Sequence, residues 1–322
     1  MSVLQRSDST LIREVYAENL EEEFSVIRGI VEQYPFISMD TEFPGIIYKE
    51  WRSTEEGKYS NFRRNVDVLK LVQLGLTFFD EKGNLPSIDG QHLCWQFNFR
   101  EFNPNHDLSA PDSLRLLHES GINFAKNMEN GVDVTRFDTL FTMSGLVQNA
   151  RMRWITFHGA YDFAFLMKML IGSYLPDSLD RYQSLLNTYF PVIYDLKFMI
   201  SLTPYDGGLR GLGLALNVER LGTAHQAGSD SLLTAGVFVK QGSDRHVCWE
   251  GLCLGTTHGD NSGNINVFIY VDQLLNPLVW TKGATGAEEH LDGRNEDKGI
   301  LEQLEDFGKV VDDLENIDVT NR

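Results

Sequence analysis

One short stretch, residues 36–45 (FISMDTEFPG), constrains the fold of this chain more than any other. It begins with four apolar or small residues and continues with two carboxylates, Asp40 and Glu42, before Pro44 and Gly45 end any regular element. We therefore predict a buried β-strand that ends in acid. Because alternate side chains of a strand share a face, the two carboxylates should point into one small volume.

Two carboxylates in one small volume repel each other unless a cation lies between them. A divalent metal ion prefers oxygen ligands and would remove that repulsion, so the pair is a candidate metal site. A surface turn that carries the same two acids by chance explains the pair equally well. Other parts of the chain have to decide between these two interpretations.

The composition is that of an ordinary globular protein, with 322 residues of which 42% are hydrophobic and 23% are charged. We find neither a run of about 18 apolar residues, as a membrane span requires, nor the apolar segment of a signal peptide near the N-terminus. We therefore expect a soluble protein inside the cell. The three cysteines, Cys94, Cys248 and Cys253, form no CxxC pair and favour neither a disulfide framework nor a structural zinc site.

The net charge of −18 argues at first against a nucleic-acid partner, because phosphate binding usually requires a basic surface. Much of the acidity is concentrated in residues 281–322, which hold twelve Asp and Glu against five Lys and Arg. Other acids are candidate metal ligands, and bound divalent ions invert the local potential that a phosphate meets. The net charge therefore does not exclude a nucleic-acid substrate.

Hydrophobic spacing along the chain predicts alternating helices and strands. We predict helices at residues 10–33, 111–117, 122–130, 134–150 and 207–221, a hairpin of strands at 68–79 and 91–99, and short strands at 153–157 and 191–195. Residues 50–64 are polar, basic and aromatic, and we interpret them as a loop with a short helix that either contacts a phosphate backbone or is simply exposed. We expect one domain at residues 1–278, with 267–274 a last strand or helix, and an acidic, flexible segment at 279–322.

Three further residues, together with the acidic pair, fit a single type of reaction. Asp162 lies at the start of a predicted helix, and His225 precedes Asp230 by five positions at the start of another. Hydrolysis of a phosphodiester requires an activated water and a stabilised oxyanion, and two cations about 3.5 to 4 Å apart supply both. By itself, Asp162 is most easily explained as a helix N-terminal charge. His225 is a metal ligand, a core histidine or a general base, and its sequence position alone favours the core histidine.

Six blocks of the sequence together resemble one family. They are residues 36–45, 65–77 (NVDVLKLVQLGLT), 95–99 (WQFNF), 157–163 (FHGAYDF), 190–195 (FPVIYD) and 225–234 (HQAGSDSLLT). In order and spacing they resemble the CAF/POP family of mRNA deadenylases, the catalytic subunits of the CCR-NOT complex. The resemblance extends from about residue 12 to about residue 255. It implies an α/β protein with a ribonuclease H-like DEDD exonuclease fold, in which helices flank a mixed central sheet.

The resemblance also implies roles for individual residues. The family's four metal-binding acids correspond to Asp40, Glu42, Asp162 and Asp230, which would bind two divalent cations, Mg²⁺ or Mn²⁺. The general base corresponds to His225. Phe43 resembles a side chain that packs against the terminal bases of the substrate, although a core aromatic residue fits that position equally well.

At the level of the whole protein, the resemblance implies a 3′-to-5′ exoribonuclease that removes poly(A) from mRNA and releases adenosine monophosphate. The expected partners are poly(A) RNA, the large NOT scaffold subunit and the partner deadenylase, with no membrane partner, in cytoplasm and nucleus. Relatives commonly have His-Ser-Gly where this chain has His158, Gly159 and Ala160. Two alternatives stay open, namely a catalytically weak adaptor of the same complex and a nuclease directed at DNA.

Overall fold

The computed structural model of the protein describes residues 10–49, 54–201 and 207–244. The predictions for residues 267–274 and for the acidic segment 279–322 lie outside this part of the chain. Within it, no helix has the length and apolar character needed to cross a membrane.

A mixed sheet forms the centre of the described chain. Its strands are β1 (Thr10–Val15), β2 (Phe36–Glu42), β3 (Gln73–Phe79), β4 (Ser87–Ile88), β5 (Gln91–Asn98), β6 (Arg153–Thr156) and β7 (Ile193–Asp195). Their order is β1-β5-β3-β2-β6-β7, and β4 pairs with β5. The pairs β1/β5, β2/β6 and β6/β7 are parallel, whereas β2/β3 and β3/β5 are antiparallel. The predicted mixed sheet and hairpin are therefore confirmed.

Helices cover both faces of this sheet. They are α1 (Leu20–Ile30), α2 (Glu55–Val68), α3 (Pro111–Glu119), α4 (Phe124–Asn130), α5 (Val134–Thr142), α6 (Ala160–Ile171), α7 (Leu179–Tyr189), α8 (Leu196–Ser201), α9 (Leu209–Ala215) and α10 (Ala227–Asp244). On one face, Ile37 and Met39 of β2 belong to a core that includes Phe24 of α1 and Phe163 of α6. Helices α8, α9 and α10 form a second core on the other face. Because side chains alternate along β2, its even-numbered residues, including both acids, share the α10 face.

Helix α10 lies unusually close to the sheet at its start. A side-chain carbon placed on Gly75 of β3 would stand 1.9 Å from the carbonyl oxygen of Ala227. Further along the helix, the Ser38 hydroxyl donates to the Ser231 carbonyl over 2.8 Å. Since Gly75 pairs with Asp40 in the antiparallel ladder, this close approach brings the start of α10 next to the acidic end of β2.

The helix prediction for residues 10–33 is wrong in its first part. Residues Thr10–Val15 form β1, which pairs in parallel with β5 through six residues, and the helix begins only at Leu20. The spacing of apolar residues in this segment fits a helix, but a sheet edge at β5 is available to pair with it. Tertiary pairing therefore overrides the local pattern.

Several other predicted boundaries also move. Helix α2 is longer than predicted, so the strand that follows begins at Gln73. Helices α5 and α9 end at Thr142 and Ala215, before the predicted ends at residues 150 and 221. Met143 follows the end of α5 and is 72% exposed.

Candidate active site

The acids of β2 lie at the end of the strand, on the face that α10 covers. Asp40 pairs with Gly75 and Glu42 pairs with Gln73 of β3. Both acids are partly exposed, whereas Met39 and Thr41 on the opposite face are buried. The predicted strand that ends in acid is therefore present, and its two carboxylates share one face as the alternation requires.

Asp162 reaches the same place from α6. Its Oδ1 accepts a hydrogen bond of 2.7 Å from the backbone N–H of Thr41 and one of 2.5 Å from the Thr41 hydroxyl. Because Thr41 lies between the two acids of β2, these bonds fasten the first turn of α6 to the acidic strand end. The sequence pattern suggested a helix-start acid here, and the structure places it beside Asp40 and Glu42.

A tight turn before α6 sets the position of that helix. His158 adopts a left-handed backbone conformation with φ of 67°, and the backbone N–H groups of His158 and Gly159 donate to the carboxylate of Asp195 over 3.0 and 2.8 Å. Asp195 is fully buried and also accepts from the first backbone N–H groups of α8. Asp195 therefore caps the start of α8. Its second role, holding the β6–α6 turn, depends on the pairing of β6 with β7.

Asp230 and His225 come from the start of α10. The backbone N–H of His225 donates to Asp230 Oδ2 over 2.9 Å, and His225 has a φ of 62°. One ligand atom from each of Glu42, His225 and Asp230 lies within 4.8 Å of the others. The His225 side chain is exposed, which excludes the core histidine among the predicted roles.

The carboxylates of the site repel one another. Burial, followed by the charges of Asp230, Asp162 and Glu42, raises the pKa of Asp40 well above its ordinary value. Burial, followed by the charges of Asp230 and Asp162, likewise raises the pKa of Glu42. Burial raises the pKa of Asp162 to about 7, although the hydrogen bonds from Thr41 lower it. The raised pKa values mean that ionisation of these carboxyl groups is unfavourable unless a cation compensates their charge.

Arg220 supplies one positive charge at this place. Its Nη1 donates to Asp230 Oδ1 over 2.5 Å and to the Ser229 hydroxyl over 3.1 Å, and its charge lowers the pKa of both Asp40 and Glu42. Its side chain is 19% exposed. Arg220 was not predicted from the sequence, since no spacing rule links an arginine in a loop to an acid ten residues later.

The donor set of the site fits hard divalent cations. Four carboxylates from three elements converge there, and carboxylate oxygens are the ligands that Mg²⁺ and Mn²⁺ prefer. A single arginine cannot neutralise four carboxylates. Bound cations would reduce the repulsion between the carboxylates, which contributes to the raised pKa values.

Phe43 belongs to an aromatic cluster next to the acids. Its ring stacks on Tyr161 at a centroid distance of 5.3 Å and contacts Phe165 at 4.9 Å. Phe43 is only half-buried, so one part of the ring packs on α6 while another part faces solvent. The two predicted roles, core packing and contact with the substrate, are therefore compatible in one side chain.

The basic segment predicted as a loop is mostly helix. Residues 50–53 lie outside the described chain, and Glu55–Val68 form α2, with the Thr54 hydroxyl accepting from the backbone N–H of Gly57. Arg64 lies over the Tyr48 ring at 4.0 Å, and Arg63 forms an ion pair with Asp67 at 3.5 Å. These two arginines are held by protein groups, so the case for a phosphate-binding loop is weaker than the sequence suggested.

A cavity of about 530 Å³ opens on the other side of the His225 segment. It is lined by polar side chains of β1, β3 and β5 and by residues of two loops, among them Glu14, Gln96, Asn123, Thr223 and Gln226. None of the four acids lines it. The cavity therefore adjoins the candidate site without containing its acids.

Comparison with known proteins identifies relatives over most of the chain. The profile of the family described as "CAF1 family ribonuclease" matches residues 15–137 and 134–212. The Arabidopsis thaliana protein named "Probable CCR4-associated factor 1 homolog 7" is 46% identical over 246 residues, which cover 74% of this chain and 90% of that protein. "Poly(A) ribonuclease pop2" of Schizosaccharomyces pombe is 42% identical over 233 residues, which cover 71% and 68% of the two chains.

Solved structures show the same similarity in three dimensions. The Mg²⁺- and Mn²⁺-bound form of S. pombe Pop2p matches with a TM-score of 0.68 and 41% identity, over 72% of this chain and 92% of that one. The CAF1 chain co-crystallised with the yeast NOT1 MIF4G domain matches with a TM-score of 0.61 and 34% identity, over 72% and 88%. In both comparisons the structural similarity covers 72% of this chain.

Proposed function

Because this chain belongs to the CAF1 family of ribonucleases, we propose that it is a metal-dependent 3′-to-5′ exoribonuclease that shortens the poly(A) tails of mRNA. Its ribonuclease H-like fold is that of the Pop2 nuclease structures. The name of its S. pombe relative, a poly(A) ribonuclease, supports the choice of substrate. The expected product is adenosine monophosphate, released one nucleotide at a time.

One observation carries this proposal. Asp40 and Glu42 of β2, Asp162 of α6 and Asp230 of α10 converge at one end of the sheet. Burial raises the pKa of Asp40, Glu42 and Asp162, and the charges of neighbouring site acids raise the pKa of Asp40 and Glu42 further. Folding brings these charges together against their repulsion, which an adaptor without catalysis would not require. The arrangement therefore favours the enzyme over the catalytically weak adaptor.

The four acids are proposed as the ligands of two divalent cations, Mg²⁺ or Mn²⁺. When bound, such cations lower the pKa of a water molecule and stabilise the departing oxyanion. The S. pombe Pop2p structure holds Mg²⁺ and Mn²⁺, which supports this assignment. Asp40 would hold the cations together with the other three acids, because the charges of Asp230, Asp162 and Glu42 all act on its carboxylate.

His225 is proposed as the general base. An exposed imidazole close to Glu42 and Asp230 can take a proton on a ring nitrogen from the attacking water. The water oxygen then bonds to phosphorus while the bond from phosphorus to the 3′ oxygen of the preceding nucleotide breaks. Its distance from the acids also fits a metal ligand, and the two roles are distinguished experimentally below. Phe43 is proposed to contact the terminal base with the exposed part of its ring.

We propose the NOT scaffold as a protein partner, because the related CAF1 chain was co-crystallised with the NOT1 MIF4G domain. The family resemblance also suggests the partner deadenylase, and cytoplasm and nucleus as locations. Co-purification of the recombinant protein with a scaffold fragment from its own source tests the first partner. Failure to co-purify would remove that part of the proposal.

The nuclease activity is tested with a labelled RNA that ends in a run of adenosines, alongside the same sequence in DNA and an RNA that ends in uridines. With Mg²⁺ or Mn²⁺ we expect stepwise shortening of the adenosine tail from the 3′ end. Asp40→Ala is the inactive control. Equal degradation of DNA would favour the DNA-directed alternative, and no degradation by a folded, metal-loaded protein would favour the adaptor.

A further inference from the structure

Three buried amide side chains of the sheet lie beside the start of α10 and take no part in the proposed chemistry. Gln73 of β3 and Gln96 of β5 are 2% exposed, and Asn98 of β5 is 1% exposed. A buried amide destabilises the fold unless its polar atoms form hydrogen bonds. The partners of these three amides therefore indicate what they stabilise.

Two of these amides contact the start of α10 in the same way. The Nε2 groups of Gln73 and Gln96 donate to Gln226 Oε1 over 3.0 and 2.8 Å. Their Oε1 atoms accept from the backbone N–H groups of Ala227 and Gly228, over 3.3 and 2.8 Å. The first N–H groups of a helix have no partner within the helix. Side chains of the sheet thus cap α10 where a local capping residue would normally do so.

Both polar atoms of the Gln226 side-chain amide form hydrogen bonds. Its Oε1 accepts from the two sheet glutamines, and its Nε2 donates to the Ser120 carbonyl over 2.9 Å. The carboxylate of Glu14 in turn holds two of the sheet amides, because it accepts hydrogen bonds from Gln96 over 2.9 Å and from Asn98 over 2.6 Å. The orientation of the Gln226 amide is therefore fully determined by its partners.

His225 directly precedes this fixed side chain. Its φ of 62° lies in the left-handed region, which non-glycine residues adopt only when surrounding contacts hold them there. One such contact is the hydrogen bond from its own N–H to Asp230. Among the residues that the structure describes, none forms a hydrogen bond with the exposed imidazole, so the backbone on both sides has to hold the turn.

From these contacts we propose that Gln226 is a positioning residue for His225. Its amide anchors the turn to β3, β5 and the loop at Ser120, and so directs the imidazole toward Glu42 and Asp230. This inference rests on the proposed function, in which His225 is the base. A displacement of about 1 Å in a catalytic group reduces the rate by about 100-fold, which makes such anchoring consequential.

The first test compares Gln226→Leu and Gln226→Ala with Thr223→Val. The leucine keeps the volume but removes the hydrogen bonds, and the alanine leaves room for water to satisfy the sheet amides. Thr223 is exposed, lines the same cavity and serves as the matched control. We expect both Gln226 variants to lose about 10- to 100-fold in kcat with KM changed by less than about two-fold, and Thr223→Val to retain kcat. An unchanged kcat in the folded alanine variant would overturn the inference.

The second test needs neither metal nor turnover. Hydrogen exchange of the backbone amides in residues 222–231, measured by mass spectrometry in the presence of a chelator, reports the opening of the turn directly. We expect faster exchange in both Gln226 variants and wild-type exchange in Thr223→Val. Unchanged exchange would show that Gln226 does not hold the turn.

A double variant shows whether Gln226 acts through His225. If it does, His225→Ala with Gln226→Ala is no slower than His225→Ala alone, because the positioned group is already absent. Multiplied losses would overturn the inference. If His225→Ala itself keeps the wild-type rate, the base assigned in the proposed function is wrong, whereas the exchange measurement still reports whether Gln226 holds the turn.

Discussion

His225 is the residue whose role depends most on its surroundings. An exposed imidazole at the start of α10 suits a base better than a buried ligand, and a general base contributes about 10²- to 10⁴-fold to a rate. We predict that His225→Ala loses kcat in that range and retains Mn²⁺ affinity, measured by calorimetry. Asp230→Ala should lose both. Equal loss of Mn²⁺ binding in the two variants would instead make His225 a ligand.

Asp40 is the acid with the most like charges around it, since Asp230, Asp162 and Glu42 all raise its pKa. Asp40→Asn removes one negative charge and keeps the shape of the side chain. In chelator, we predict a higher melting temperature for this variant than for the wild type, together with complete loss of nuclease activity. Mn²⁺ should then raise the melting temperature of the wild type more than that of the variant. A lower melting temperature of the variant in chelator would contradict this account.

Asp162 makes the stability of the metal-free protein depend on pH. Its folded pKa of about 7 is raised from 3.8, so between these values the folded state binds more protons than the unfolded state. The contribution of Asp162 to stability is therefore complete below about pH 4 and is lost as the pH rises toward 7.

We expect the free energy of unfolding of the metal-free protein, measured with urea, to fall less steeply with pH in Asp162→Asn than in the wild type. The asparagine can still accept the hydrogen bonds from Thr41. Comparing these two proteins separates Asp162 from every other titrating group. Identical slopes would mean that the Asp162 carboxyl is already ionised in this range.

At the scale of elements, the contact between α10 and β3 decides whether the acids meet. Gly75 allows this contact, because any side chain there would collide with the backbone oxygen of Ala227. We predict that Gly75→Ala displaces the start of α10, lowers the free energy of unfolding by about 1 to 3 kcal/mol and weakens Mn²⁺ binding. Urea unfolding and calorimetry measure the two effects.

Gly29 provides the matched control for this variant. It lies on the exposed side of α1, and a side-chain carbon there would meet no atom within 4 Å. Gly29→Ala should therefore stabilise the protein by about 0.5 to 1 kcal/mol and leave Mn²⁺ binding unchanged. If the two alanines had the same effect, the close approach of α10 to the sheet would not matter for the site.

At the scale of the whole molecule, the acidic segment is expected to be dispensable for the nuclease domain. Residues 283–322 hold twelve acidic and four basic residues and little periodic hydrophobicity. A composition of this kind predicts too little buried apolar surface to offset the entropy of ordering the segment. We predict that deleting these residues changes the melting temperature by less than about 3 °C and preserves nuclease activity. A larger decrease would show that the segment packs on the domain.

The sequence by itself determined the parts of this protein that depend on local patterns. An apolar run followed by two acids one residue apart predicts a strand end, and the spacing of apolar residues predicts where the helices that carry Asp162 and Asp230 begin. The strands of the hairpin, the acids of β2 and the starts of α6 and α10 were predictable for this reason. The resemblance between blocks then supplied the assignment of the five site residues.

Only the tertiary structure decided how those parts meet. Gln73 and Gln226 are 153 residues apart in the chain, and no local pattern links them. The same holds for Asp195, which fixes the turn before α6, and for β1, whose helix-like spacing is overridden by pairing with β5. Hydrogen bonds and strand pairs between distant segments depend on the packing of the sheet and α10, and local sequence patterns do not reveal that packing.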